Sequence, residues 1–247
     1  MGDFFMCKMK PTAIAARKVT PSGEVYYDDT PEGHAAATED MQKTMGSGAS
    51  ESGQGGAQPG GDAGATPAPQ PDPKDCSTYT DALWDTACSK YFKFSQMKYK
   101  PVENPEAKLT AQQIACNWQK VCQNVLDPLV DAGFKITISS GYRTPAFDKS
   151  LGAKNSIGDH PCGRAVDIQI LGQGDPSEKA KGLFKHIGKN MNGSFSQLIY
   201  EGRWVHVAHG GNSPEIVSVL VARNGTAPYQ QVGGRSGSRL DPDLKWA

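Results

Sequence analysis

Residues 158–170 read GDHPCGRAVDIQI. From Arg164 onward the apolar and polar residues alternate, which is the period of a β-strand. Val166, Ile168 and Ile170 then share the face that seeks a core, while Ala165, Asp167 and Gln169 share the other. An ordinary half-buried strand turns that second face to solvent. A sharper reading makes it the floor of a cleft, in which the small Ala165 leaves room for an ion and Asp167 supplies one oxygen ligand. Such a site needs further ligands, and they must come from elsewhere in the chain.

The chain has five histidines, at positions 34, 160, 186, 206 and 209. His34 falls in an N-terminal arm, and His186 beside Lys185 in an expected helix, so both read as solvated. His206 lies in Trp204-Val205-His206-Val207-Ala208, where alternation puts the two valines on one face and Trp204, His206 and Ala208 on the other. His160, Asp167 and His206 together offer two imidazoles and a carboxylate. That set leaves a fourth position open for water, the composition of a catalytic rather than a structural zinc site. His209, three residues beyond His206, falls on the opposite strand face and is the weaker rival. The Cys162 thiol is a second rival that the completed set makes unnecessary.

The 247 residues, 37% of them hydrophobic, allow one sizeable domain with appendages, and the formal net charge of zero gives no argument for nucleic acid. No segment has the apolar length of a membrane span, so membrane insertion is not expected. The first eight residues hold too brief an apolar run for a signal peptide, so the expectation is a protein made in a cytoplasm. The six cysteines include no Cys-x-x-Cys and are expected to be reduced and structural, with Cys76 and Cys88 the pair most open to revision.

The chain divides into five stretches. Residues 1–45 form an arm, too short for a core of its own, read either as a disordered tail or as a segment that orders on a partner. Residues 46–75 are a Gly/Ser-rich, then Pro-rich, linker with no aromatic or branched aliphatic residue in 46–74, a coil spanning on the order of 30 Å. Residues 76–108 carry Trp84, Tyr91, Phe92 and Phe94 and are expected to pack on the neighbouring domain, which spans 109–224. A Gly/Ser-rich tail is expected over 225–247. Inside the domain, Thr110 and Gln113 have the spacing of a capping box, and Ile114, Trp118, Val121, Val125 and Leu129 form a helical stripe that Pro128 kinks or ends. Strands are expected at 135–140, 196–200, 204–208 and 216–222, with a second helix at 177–191. Glu201-Gly202-Arg203 is the expected hairpin loop.

Three motifs, SSGYRTP at 139–145, H-x-x-G-R-A-x-D from His160 to Asp167 and YEGRWVHV at 200–207, resemble those of the zinc D-alanyl-D-alanine carboxypeptidase and L-alanyl-D-glutamate peptidase family over roughly residues 109–222. The resemblance implies an α+β, hedgehog/D-Ala-D-Ala peptidase-like domain with a small, mainly antiparallel sheet packed by helices. It implies Zn2+ held by His160, Asp167 and His206, Arg143 contacting substrate and stabilising the developing carbonyl charge, and Glu201 as general base. Gly158 stands where members commonly have serine, and Ser156 lies two positions further back.

The implied substrate is the stem peptide of bacterial peptidoglycan, which lies outside the cytoplasm. A bacteriophage reconciles that with the absence of an export signal, and the arm-tether-enzyme layout favours an enzyme docked to phage tail or baseplate proteins through residues 1–45. The alternatives are a soluble endolysin and a non-catalytic tail protein whose domain only binds peptidoglycan.

Overall fold

A computed structural model describes residues 17–19, 25–46, 69, 72–191, 193–210, 218–222 and 229–234. The fold is α+β. A six-stranded sheet runs in the order β3-β4-β6-β5-β7-β8, with β3 Ile136–Ser140, β4 Ala165–Ile170, β5 Gln197–Tyr200, β6 Val205–Ala208, β7 Ser218–Ala222 and β8 Tyr229–Gly234. Every pairing is antiparallel except β5 with β7. The last of these strands corrects one expectation: residues 229–234, read as part of a tail, form the sheet's outer strand.

The helical stripe forms as its residues dictate, with an interruption. Thr110 caps α2 (Ala111–Val121), accepting from the Gln113 amide while the Gln113 side chain accepts from the Thr110 amide. Residues Cys122–Leu126 then make a π-turn before α3 (Asp127–Asp131). Pro128 has no N–H, and its ring crowds the carbonyl four residues back, so an α-helical ladder cannot continue through it. The chain widens by one residue instead, and the Asp127 amide bonds to the Cys122 carbonyl. The other helices are α4 (Pro145–Ser150), capped by Thr144, and α5 (Pro176–Asn190), capped by Asp175. Ile114, Trp118, Leu129, Leu183, Phe184 and Ile187 are fully buried with the apolar face of the sheet in one core.

Residues 76–108 pack into that core. Phe92, Phe94, Met97 and Tyr99 are at most 2% exposed, so these residues form part of the core, more than a lead-in resting on its surface. Cys76 is bonded to Cys116 on α2, which corrects the expectation of reduced cysteines and names a different partner from Cys88. Spacing could not choose that partner, because the pairing depends on how the 76–108 segment folds back along α2. Cys88 and Cys122 are buried free thiols. Gln119, one turn along α2, donates to the Lys74 and Cys88 carbonyls and accepts from the Cys76 amide, tying down backbone that has no ladder of its own.

The arm also departs from expectation. β1 (Arg17–Val19) and β2 (Val25–Tyr27) pair antiparallel and lead into α1 (Pro31–Gly46). The Tyr27 amide donates to the Lys98 carbonyl, Tyr26 meets Trp84 edge-on, and the His34 ring lies 5.2 Å from that of Phe147. The Thr144 hydroxyl donates to Asp29. Thus 17–19 and 25–46 lie against the domain. The aromatic surface there supplies the burial that so short a segment cannot supply for itself. Residues 1–16, and the expected linker apart from Gly46, Pro69 and Asp72–Asp75, lie outside the described residues.

Candidate metal centre

β4 and β6 are direct neighbours, and their register sets Asp167 opposite His206. Paired antiparallel residues point to the same side of a sheet, so the two ligands that alternation placed on the polar face of each strand face one cavity. The apolar partners Val166 and Val207 pair on the opposite face. One step further across, Ile199 of β5 pairs with His206, and Glu201 lies two residues beyond Ile199. β5 ends at Tyr200 and β6 begins at Val205, so residues 201–204 make the turn, closed by the Glu201 amide on the Trp204 carbonyl. Gly202 takes φ +80° there, a left-handed conformation that side chains disfavour.

His160 comes from a loop, and other parts of the chain hold that loop in place. The Asn104 side-chain amide donates to the carbonyls of Ser156 and Pro161, and Asn117 on α2 donates to Cys162. Gly163 adopts φ +69° where a Cβ would sit 2.5 Å from the Ile114 carbonyl, so only glycine lets this loop approach α2 so closely. The His160 Nδ1 lies 2.6 Å from the Gly141 carbonyl and must donate to it, which leaves Nε2 as the ligating nitrogen.

The ligand atoms of His160, Asp167 and His206 all lie within 4.8 Å of one another, and the three residues are buried. Asp167 Oδ1 is 3.4 Å from His160 Nε2 and 2.9 Å from His206 Nδ1. Tetrahedral zinc with bonds of 2.0–2.1 Å needs ligand atoms roughly 3.3 Å apart, a spacing that Asp167 Oδ1 already approaches with both imidazoles, so the set fits this ion once the two rings draw together. Burial pushes the His160 imidazole's pKa down, assisted by the Arg143 charge, and so favours the neutral ring that a metal requires. Burial alone would raise the Asp167 carboxyl. Its contacts with the His160 and His206 imidazoles outweigh that and hold the group well below the ordinary carboxylate range.

Arg143 leaves the end of β3 and reaches the same cavity. Its Nη2 donates to Asp167 Oδ2 at 3.0 Å and its Nε to the Ser140 hydroxyl. The arginine expected only to meet substrate therefore also orients the carboxylate ligand. Arg143, His160, Asp167, Gln197, Glu201 and His206, with Ile199, line a cleft of about 370 Å³. All five residues singled out in the sequence meet in it.

The rivals lie elsewhere. His209 bonds to the Ser194 carbonyl and to Asn124, and the Cys162 thiol points to the Ile157 carbonyl. Ser156 is buried, with its hydroxyl on the Pro145 carbonyl. Asn104, Asn117 and the Gly141 carbonyl escaped the sequence reading. Asn104 lies 56 positions before His160, and a backbone carbonyl leaves no trace in residue type.

No curated protein and no solved structure matches the chain. Residues 90–208 match the family model described as Peptidase M15. That span opens within the aromatic segment, ahead of α2, and encloses the His160, Asp167 and His206 cluster, so the part of the chain that is similar to this peptidase family is the part that could hold a metal ion.

Proposed function

We propose that the protein hydrolyses peptide bonds in peptidoglycan stem peptides, as a peptidase of the D,D-carboxypeptidase or L-alanyl-D-glutamate endopeptidase type on a hedgehog/D-Ala-D-Ala peptidase fold. The observation that carries this reading is the meeting of His160, Asp167 and His206 with Glu201 and Arg143 in one cleft. Zinc, held by the first three, would supply Lewis acidity toward the scissile carbonyl and acidify the attacking water. Glu201, which lines the same cleft, accepts the proton of that water and returns it to the leaving amine. Arg143 orients Asp167 through its hydrogen bond, and its guanidinium offers donors to the oxygen on which charge develops.

The reading is tested by incubating zinc-loaded protein with purified peptidoglycan, with and without a chelator, and identifying released fragments by mass spectrometry. Chelator-sensitive release with new stem-peptide termini is the expected result. Absence of release from folded, zinc-loaded protein on several wall types overturns it and favours a binding role.

The proposal extends to placement on a phage tail or baseplate, supported by the sequence order of arm, linker and domain. Because residues 17–19 and 25–46 pack on the domain, residues 1–16 remain the segment for docking. Mass spectrometry of purified particles tests this: the chain is expected among the virion proteins, and finding it only in the lysate points to a soluble endolysin.

A further inference from the structure

A second cleft, of about 470 Å³, lies between the N-terminal segment and the β3 end of the sheet. Its floor belongs to the same sheet face as the metal ligands, for Gln169 comes two residues after Asp167 on β4 and pairs with Thr137 on β3. Arg143 lines both clefts. The far wall is Arg17, Tyr27 and Asp40 of the arm, with the Asp40 carboxylate accepting from the other two. The arm's packing thus leaves a trough on the sheet face, with Arg143 common to it and to the metal cleft.

Three polar side chains that line this trough lack partners. Tyr99 is 2% exposed, and its hydroxyl is buried with no hydrogen bond. Burial, with Tyr27 and Asp29 nearby, pushes the phenol's pKa up, so it keeps its proton and stays a donor. Among the described residues the side chains of Thr137 and Gln169 also make no hydrogen bond, though both are half-buried. A buried hydroxyl left unsatisfied is costly, which makes an orphan donor beside a cleft a signal of a missing ligand. The lining carries three cationic residues, Arg17, Lys98 and Arg143, of which Arg17 pairs with Asp40 and Arg143 with Asp167.

We propose that this trough is a distal substrate subsite, in which an extended peptide bearing a free carboxylate lies along β3 and hydrogen-bonds to Tyr99, Thr137 and Gln169 while its scissile bond sits at the metal centre. The subsite rests on the peptidase reading above and adds to it a preference for peptides longer than the scissile dipeptide. It also gives the arm a role, as the wall that turns one edge of an open sheet into a channel.

Tyr99→Phe and Thr137→Val are the informative variants, since each removes a hydroxyl and preserves shape. Steady-state kinetics on a synthetic stem peptide and on a truncated form keeping only the scissile dipeptide would give the ratio of the two kcat/KM values. In each variant that ratio is expected to fall about tenfold, the value of one good hydrogen bond, while Tyr99→Phe, by removing an orphan hydroxyl, leaves the thermal midpoint level or higher. An unchanged ratio in both variants overturns the subsite. Calorimetric titration of the stem peptide into zinc-loaded Glu201→Ala protein, with and without Tyr99→Phe, reads the trough independently of turnover. A weaker Kd in the double variant, weaker still when the peptide's carboxylates are amidated, supports the subsite even if hydrolysis is never seen. Equal Kd values, or no binding, overturn it.

Discussion

The two faces of the central sheet are built from the same strands and do opposite work. On one face Val166, Ile168, Leu198, Val205 and Val207 are fully buried in the core. On the other, Asp167, Gln169, Ile199 and His206 line clefts. Residues one position apart in sequence are thus assigned to stability and to chemistry, because side chains alternate across a strand. A register slip of one residue would therefore lose both at once, as the ligands would enter the core and the valines the cleft. It also implies that substitutions on the two faces should fail in different ways.

The largest effect is expected from Asp167→Asn, which removes the carboxylate that both imidazoles and Arg143 address. Zinc content measured by elemental analysis should fall below stoichiometry and turnover be lost, with the circular dichroism spectrum kept. Loss of the fold instead would break the division between the faces. Glu201→Ala comes next: it should retain zinc and lower turnover by about 10² to 10⁴-fold, and near-normal rates would place the base elsewhere. On the other face, Ile168→Ala should cost about 2–5 kcal/mol in urea unfolding of the metal-free protein, with one zinc still bound per chain under native conditions. Cys76→Ser lies on neither face and removes a bridge with a sequence separation of 40. It should cost about 2–4 kcal/mol and leave zinc affinity unchanged, since the staple holds the 76–108 segment to α2 and touches no ligand. A matching loss of zinc there would show the core and the cleft to be coupled through α2.

Much of the sheet is visible in residue order. The expected strands at 135–140, 196–200 and 204–208 differ by a residue or less from β3, β5 and β6, because each is a short alternating run bounded by turn residues. The helix expected at 177–191 shifts by one residue, since Asp175 serves as its cap with Pro176 in the first turn. The helix through Pro128 is harder: proline announces a fault without saying whether the helix ends, bends or widens. The arm reads in sequence as a tail or a docking segment because it is too short to build a core of its own. Its order comes from Trp84, Tyr99 and Phe147, which are distant in sequence.

The candidate site divides the same way. Residue type and spacing single out His160, Asp167 and His206, because few side chains can ligate zinc and only certain strand positions share a face. Residue order also marks the apolar face, through a period that each strand carries on its own. Only the tertiary structure decided that the polar face is a cleft and not a solvated surface, that Cys76 meets Cys116, and that Asn104 and the Gly141 carbonyl fix the His160 loop. These depend on segments that meet across the fold, and a long-range meeting is set by the summed packing of the chain, with no local pattern to record it.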